Sequence, residues 1–206
     1  MSLSTQLWQA NQDLADASLH NPFVQGIGDG SLPQEKFAYY VGQDVFFLEA
    51  FARAYSVAAA KVPNWESFQV FHNLANGVLQ ELDLHQSYAQ SWNVDITQVE
   101  PGTATRQYTD FLLATAWRQP VGMTAVAMSP CMRLYAYLGQ QLAQEGIPNH
   151  AYRDWIMTYS SADFEPLAQQ LEDLVDKHAE AGELTCSTYR YAMRCERDFF
   201  QAAWQQ

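Results

Sequence analysis

The sequence predicts an all-α protein, a bundle of long amphipathic helices. Apolar residues recur three and four positions apart through most of the 206 residues, the spacing of a helix that buries one face. No segment shows sustained alternation of apolar and polar residues with strand-type turns, and nothing repeats at a fixed period. Gly and Pro number only 10 and 8, and they cluster where helices are expected to end. We therefore expect seven or eight helices in a single domain spanning residues 1–206.

These breaks place the helices in order along the chain. A first helix is expected over residues 4–19, and the glycines of residues 26–30 predict a turn. Ser31 or Leu32 then caps the second helix, with Pro33 in its first turn, where a missing N–H costs least. The second helix is expected to end at a break at residues 62–64. A third helix is expected to run to about residue 92, followed by a loop over residues 93–102. The remaining helices are expected over residues 105–117, from the break at 119–120 to 144, and over 152–159, 164–180 and 185–204.

Charge and composition exclude several classes of partner. The chain has 11 Lys and Arg against 23 Asp and Glu, a formal charge of −12, and such a surface repels nucleic acid and anionic membranes. The first residues lack the basic flank and apolar run of a signal peptide, and no apolar run reaches the ~20 residues that span a bilayer. The odd cysteine count, Cys131, Cys186 and Cys195, without a CxxC pair, predicts free thiols in a reducing cytoplasm.

The segment around Cys131 is the first candidate for chemistry. With Ser129 as N-cap and Pro130 at the first helical position, a new helix would begin here. Cys131 would lie in its first turn, where the helix dipole stabilises a thiolate, and Tyr135 would follow on the same face. Cys131 is thus a candidate nucleophile, and a buried structural cysteine is the alternative. Cys186 and Cys195 have no such placement and are interpreted as structural.

Two acidic residues lie in apolar helical segments. Asp44 is followed on its face by Phe47, so an acid and a flat ring could line one cavity; capping of a neighbouring helix or pairing with an arginine is the alternative. Glu196 shares an apolar stripe with Met193 and Phe200, and a solvent-exposed charged face is the alternative.

Tyrosines on separate helices could enclose a pocket. The chain has eleven Tyr, and Tyr108, Tyr135 and Tyr159 lie on different predicted helices. An aromatic residue at helical spacing is nonetheless more often part of a core than of a binding site.

Metal and nucleotide motifs are absent from the sequence. No Asp or Glu stands three residues before any of the five His, as the Glu-x-x-His motif of di-iron bundles requires. His20 or His72 could ligate haem in principle, although a lone histidine is more often a cap or a core hydrogen-bonding group. The chain also lacks a P-loop, a GxGxxG fingerprint and a GxSxG elbow.

Taken together, these residues resemble the TenA family, which comprises thiaminase II and aminopyrimidine aminohydrolase. The resemblance covers almost the whole chain, and its order and spacing are more specific than any single motif. Its pieces are Asn21-Pro22-Phe23, Gly30-Ser31-Leu32, Phe37-x-x-Tyr40-x-x-Gln43-Asp44, Glu81-x-x-x-His85, Tyr108, Ser129-Pro130-Cys131-x-x-x-Tyr135, Trp155-Ile156-x-x-Tyr159 and Glu196.

The resemblance implies a fold, an activity and a set of roles. The fold would be haem-oxygenase-like, without haem or metal, and usually a homotetramer. The reaction would be hydrolysis of 4-amino-5-aminomethyl-2-methylpyrimidine to hydroxymethylpyrimidine in thiamin salvage, with thiamin as a further substrate. Cys131 would add to the pyrimidine ring and Glu196 would act as general acid and base. Asp44 would bind the aminopyrimidine edge and Phe47 would pack near the thiol, while the ring would be surrounded by Tyr108, Tyr135 and Tyr159.

The chain departs from the family pattern at four places, and these affect the substrate more than the reaction type. Phe47 stands where some members have Tyr, Arg133 where an aromatic residue is common, residues 160–161 where a Gly pair is usual, and Cys195 where Tyr is frequent. Two other functions stay open at this point. One is a metal- or oxygen-dependent enzyme of the wider haem-oxygenase-like group, and the other is a pyrimidine-binding or regulatory protein without turnover.

Overall fold

The computed structural model describes residues 1–92, 94–95 and 98–206, and the side chains of all of these except residues 83–88. The described residues form α-helices and no strand, so the predicted all-α class is confirmed. There are ten helices in this part of the chain, more than the seven or eight expected. They are α1 Leu3–Gln9, α2 Gln12–Leu19, α3 Pro22–Asp29, α4 Gln34–Lys61, α5 Trp65–Ser91, α6 Thr103–Arg118, α7 Val121–Leu142, α8 Arg153–Tyr159, α9 Glu165–His178 and α10 Glu183–Trp204.

One extra helix comes from a division within residues 4–19. The chain leaves α1 at Gln9 and enters α2 at Gln12, and Asn11 lies between them. The buried side-chain amide of Asn11 donates a hydrogen bond of 2.8 Å to the carbonyl of Leu7. An asparagine side chain that bonds the backbone in this way offers an alternative to continued helix, which the apolar spacing alone did not reveal.

The other extra helix replaces the turn predicted at residues 26–30, and that prediction was wrong. Asn21 caps α3 by accepting a hydrogen bond of 2.9 Å from the Phe23 N–H. Gly26 lies inside α3. A larger residue would be crowded at this position, because a Cβ would come within 3.0 Å of the backbone of Leu32. Of the glycines in residues 26–30, Gly30 alone has the left-handed conformation that ends a helix, with φ of 80°.

The helix start predicted at Ser129 is also wrong, because α7 runs through Pro130 without interruption. The proline removes the N–H that would bond the carbonyl of Val126 one turn earlier. α7 is nevertheless buried along most of its length, between α4, α6, α8, α9 and α10. Packing on so many neighbours outweighs one missing hydrogen bond. Cys131 therefore lies in the middle of a helix, and no helix N-terminus stabilises its thiolate.

Two contacts of α7 fix the elements around it. A Cβ at Gly139 would lie 2.4 Å from the carbonyl carbon of Tyr159. The glycine therefore allows the backbone at the end of α8 to pack directly against α7. On the α9 side, Arg133 donates hydrogen bonds to Glu172 at 2.7 and 2.8 Å and to Glu165 at 2.8 Å. Arg133 thus forms ion pairs with two glutamates at a position where many TenA proteins have an aromatic residue. Among the residues described, no helix is long and apolar enough to cross a membrane.

Candidate active site

A cavity of about 650 Å³ lies between α4, α5, α7 and the segment from α8 to α9. Five of the seven residues predicted for the site line it. They are Asp44, Phe47, Cys131, Tyr135 and Tyr159. The structure thus brings together α4, α7 and α8 at one cavity, which the sequence could not show.

The other two predicted residues, Tyr108 and Glu196, lie directly behind the cavity wall. Tyr108 Oη donates a hydrogen bond of 2.5 Å to Glu196 Oε1, and both side chains are only 1% exposed. The Cys131 thiol lies within hydrogen-bonding reach of the same carboxylate. The exposed charged face that was the alternative for Glu196 is therefore wrong. Three helices, α6, α7 and α10, supply one hydrogen-bonded group of hydroxyl, carboxylate and thiol.

Burial sets the ionisation of this group. It raises the pKa of Glu196 to about 7, while the hydrogen bonds from Tyr108 and Cys131 act in the opposite direction. Burial also raises the pKa of the Cys131 thiol well above its usual range, and the neighbouring Glu196 and Asp44 carboxylates raise it further. At neutral pH the sulfur is a protonated thiol beside a carboxyl group poised between its two forms. Such a carboxylate can take the thiol proton during attack and return it later.

Asp44 is 7% exposed and lies within electrostatic reach of this group. It shares the cavity with Phe47, whose ring centroid is 4.9 Å from that of Tyr108. The cavity thus has a carboxylate and a flat aromatic surface on the α4 side. This is the pairing expected from the spacing of Asp44 and Phe47 on one helix face.

Aromatic side chains and their hydrogen bonds support the part of the cavity wall that Tyr135 and Tyr159 form. The rings of Tyr135 and Tyr159 meet edge to face with centroids 4.7 Å apart. The hydroxyls of Tyr135 and Tyr40 lie 3.2 Å apart, and Trp155 Nε1 donates to the Tyr40 hydroxyl at 3.3 Å. Tyr40 and Trp155 belonged to the resembling motifs, but they were not predicted as site residues. Their role is to orient Tyr135 from behind.

Sequence reasoning missed three aromatic residues of the cavity, Phe51, Tyr55 and Phe164. Phe51 and Tyr55 continue the face of Phe47 at intervals of four residues, and successive ring centroids are 4.9 Å apart. The repeat 47, 51, 55 was therefore the signal that could have found them. Glu81 on α5 also lines the cavity, whereas His85, its partner in the resembling motif, falls among the side chains outside the described set.

The remaining cysteines lie elsewhere. Cys195 is 4% exposed, and burial raises its pKa to about 12, while Cys186 is exposed on α10. Neither lines the cavity. Over the described ranges, no group of three or more His, Cys, Asp or Glu side chains is placed to hold a metal ion.

Comparison with known proteins gives a family match over nearly the whole chain. The sequence profile of the TENA/THI-4/PQQC family matches residues 8–206. An aminopyrimidine aminohydrolase of Halalkalibacterium halodurans is 32% identical over 188 residues, which cover 87% of this chain and 83% of that protein. The bifunctional TH2 protein of Arabidopsis thaliana, described as mitochondrial, is 36% identical over 212 residues. That match covers 90% of this chain but 34% of the plant protein, so the chain spans about a third of its length.

Solved structures show the same fold. A TenA homologue from P. horikoshii superposes with a TM-score of 0.91 at 23% identity, covering 100% of this chain and 99% of that one. Haem oxygenase-1 from the cyanobacterium Synechocystis superposes with a TM-score of 0.62 at 13% identity, covering 98% and 92%. The likeness to haem oxygenase-1 confirms the predicted haem-oxygenase-like fold.

Proposed function

The chain belongs to the TENA/THI-4/PQQC family, and from that premise we propose that it is an aminopyrimidine aminohydrolase. Its substrate would be 4-amino-5-aminomethyl-2-methylpyrimidine, with thiamin as a further substrate, and its product hydroxymethylpyrimidine. One observation carries the proposal: Glu196, with a pKa near 7, shares hydrogen bonds with Tyr108 and with the thiol of Cys131 at the cavity wall.

The cavity suits a flat ring with a polar edge. In this proposal the pyrimidine lies between Phe47 and the pair Tyr135 and Tyr159, whose faces offer the apolar contact that an aromatic ring prefers. The buried carboxylate of Asp44 accepts hydrogen bonds from the amino edge. These contacts place a ring carbon over the sulfur of Cys131.

The first half of the reaction removes the amine. Glu196 accepts the thiol proton as sulfur bonds to a ring carbon, and the displaced electron pair moves to a ring nitrogen, which Glu196 then protonates. With aromaticity broken, that nitrogen's electrons push out the neighbouring C–N bond. The aminomethyl group is bound in its ammonium form, so the nitrogen departs as ammonia with the C–N electron pair and an exocyclic methylene remains.

The second half adds water and releases the enzyme. Water adds its oxygen to the methylene while Glu196 accepts a proton from it, and the electron pair of the methylene double bond returns to the ring nitrogen. The C–S bond then breaks with its electrons on sulfur, and Glu196 passes its proton to the sulfur of Cys131. The ring nitrogen loses its proton to solvent as the ring regains aromaticity. A carboxyl group with a pKa near 7 serves both directions of proton transfer.

Product formation by the wild type and by Cys131→Ala tests the proposal. We expect hydroxymethylpyrimidine from the aminomethyl compound with wild-type protein and none above background with the variant. Cys186→Ala, which removes an exposed thiol from outside the cavity, should keep full activity. A wild type that releases no ammonia, or a Cys131→Ala variant with full turnover, would overturn the assignment.

We further propose that residues 1–206 act as one domain and assemble as a cytoplasmic homotetramer, as the family resemblance implies. A formal charge of −12 supports a small-molecule partner over nucleic acid or an anionic membrane. Sedimentation should give four times the 23.4 kDa of one chain, and the mass of a monomer would contradict the assembly.

A further inference from the structure

Gly77 lies in the middle of a long helix where the backbone does not require a glycine. It belongs to α5, Trp65–Ser91, and glycine is among the least favourable residues inside a helix. Its φ lies outside the left-handed region that favours glycine. Apart from its chain neighbours and the surrounding helix backbone, no atom of the described residues would lie within 4 Å of a Cβ at this position. Neither backbone conformation nor close packing therefore accounts for Gly77.

The other glycines inside helices differ from Gly77 in this respect. At each of the five, a Cβ would come within 3.1 Å of a neighbouring group, so close packing accounts for them. They are Gly26, Gly28, Gly42, Gly122 and Gly139. Gly77 instead lines the cavity, at a position that is exposed to solvent. The shape of the cavity, and not the packing of the fold, is therefore the reason that the structure offers for this glycine.

The cavity opens to solvent between α5 and the first turns of α9. The reacting residues line its buried inner part, whereas exposed residues line it along these two elements, and we call this exposed part the mouth. On each side of the mouth the lining residues recur at the spacing of one helix face. They are Asn73, Gly77, Gln80 and Glu81 on one side, and Asp163, Leu167 and Gln170 on the other.

The mouth lies close to the reacting sulfur. Glu81 follows Gly77 by one helical turn, and its charge acts on both Cys131 and Tyr159. A substituent that extends from the reacting centre toward solvent therefore passes between α5 and α9, next to Gly77. The cavity volume of about 650 Å³ is in the range that holds a ligand of drug size, more than a pyrimidine with one aminomethyl group fills.

We propose that Gly77 determines the specificity for the size of the leaving group: its missing side chain admits a leaving group as large as a heterocycle. This inference rests on the proposed function, in which the pyrimidine ring lies in the buried part of the cavity. Ammonia needs no room at the mouth. The thiazolium ring of thiamin, which is bonded to the same methylene carbon, would extend into the mouth beside Gly77.

The charge of the mouth agrees with a thiazolium as the leaving group. Glu81 and Asp163 contribute carboxylates to the lining, and no Lys or Arg lines the cavity in the described part of the chain. Carboxylates favour a nearby cation, so a thiazolium suits the mouth by charge as well as by size.

Substitutions that add a side chain at Gly77 test the proposal. Across Gly77→Ala, Gly77→Leu and Gly77→Phe, kcat/KM for thiamin should fall relative to kcat/KM for the aminomethylpyrimidine as the side chain grows. We expect this ratio to fall by about tenfold or more in Gly77→Phe. The matched control is Asn76→Phe, which places the same ring on the preceding exposed residue of α5, outside the cavity lining. It should keep the ratio at the wild-type value.

The ratio of the two substrates also separates the possible failures. Both are measured on one preparation, so loss of folded protein cancels in the ratio. A wild-type ratio in Gly77→Phe, an equal change in Asn76→Phe, or a wild type that hydrolyses the aminomethylpyrimidine but not thiamin would overturn this inference and leave the proposed function intact. A wild type that turns over neither compound would overturn both.

The melting temperature gives a second readout that does not depend on activity. Alanine favours helix over glycine, and its Cβ would displace no neighbour at this position. We therefore expect Gly77→Ala to melt about 2 to 4 °C above the wild type. A lower melting temperature would show that the fold itself requires the glycine, and it would overturn the inference.

Discussion

Tyr108 Oη lies 2.5 Å from Glu196 Oε1, and 88 residues of sequence separate the two side chains. Burial, followed by the charge of Glu196, raises the pKa of the Tyr108 hydroxyl well above its usual range. Tyr108 therefore stays a hydrogen-bond donor over the pH range around 7 in which Glu196 titrates. With that contact fixed, the proton that Glu196 can exchange is the one it shares with Cys131.

The substitution Glu196→Gln should remove proton transfer while keeping the shape of the side chain. Because an amide cannot accept the thiol proton, we expect kcat to fall by about 10²–10⁴-fold. The control is Asp198→Asn, the same chemical change two residues later on α10, where the carboxylate is 45% exposed and pairs with Arg197. Steady-state kinetics of both variants check this. Equal losses in the two, or a Glu196→Gln variant with wild-type kcat, would contradict the role of Glu196.

The pH dependence of kcat/KM should follow Glu196. The carboxylate must be ionised to accept the thiol proton, so activity should rise with pH through a midpoint near 7 and fall about tenfold per unit below it. The Tyr108 hydrogen bond lowers the pKa of Glu196, so Tyr108→Phe should move the midpoint to higher pH. The test is to measure kcat/KM of the wild type and of Tyr108→Phe from about pH 5 to 9. A midpoint that stays in place, or moves down, argues against this assignment.

The free energy of unfolding should also depend on the ionisation of Glu196, and it should fall as pH rises. Burial raises the pKa of Glu196 from 4.5 to about 7, so the folded state binds the proton more tightly than the unfolded state. That stabilisation is complete below about pH 4.5 and is lost as pH rises through 7, a change of about 3 kcal/mol. Glu196→Gln, which cannot ionise, should therefore gain stability over the wild type at pH 8 but not at pH 4.5. Urea unfolding at the two pH values measures this, and a difference independent of pH would refute it.

Removal of Arg133 should cost stability. Its side chain is 14% exposed and bonds Glu172, which is 11% exposed, so Arg133→Met leaves a buried carboxylate without its cation. We expect a loss of about 3 kcal/mol in the free energy of unfolding. The double variant Arg133→Met/Glu172→Leu should recover much of it, because both charges are then absent. As a control, Arg53→Ala removes a guanidinium that is 70% exposed and should change stability little.

The residues of the site could be predicted from the sequence because each belongs to a short pattern of helical spacing. Asp44 with Phe47, Cys131 with Tyr135, and the apolar stripe of Glu196 each follow from helical spacing. Their convergence does not, since the three patterns lie on α4, α7 and α10 and nothing local brings them together. The ionisation of the site was misjudged for the same reason. Burial by other helices, and not a helix N-terminus, controls Cys131.

The errors in the fold have a common physical origin. Pro130 and Gly26 disfavour helix when only their own backbone is considered. In the structure, Pro130 is held in α7 by burial against five other helices, and Gly26 is the residue that lets α3 approach Leu32. Tertiary contacts override local propensity at both positions. The division at Asn11 is the converse case, where one side-chain hydrogen bond ends a helix that the apolar spacing would continue.

The raised pKa of Cys131 also bears on how long the protein stays active in the presence of oxidants. Peroxide oxidises thiolates much faster than thiols, and the sulfenic acid that forms first can be driven to irreversible states. Because burial keeps the resting sulfur protonated, Cys131 should react slowly with oxidants in the resting protein. In the proposed mechanism Glu196 takes the thiol proton only when a substrate lies over the sulfur. We therefore expect the activity to resist oxidative inactivation.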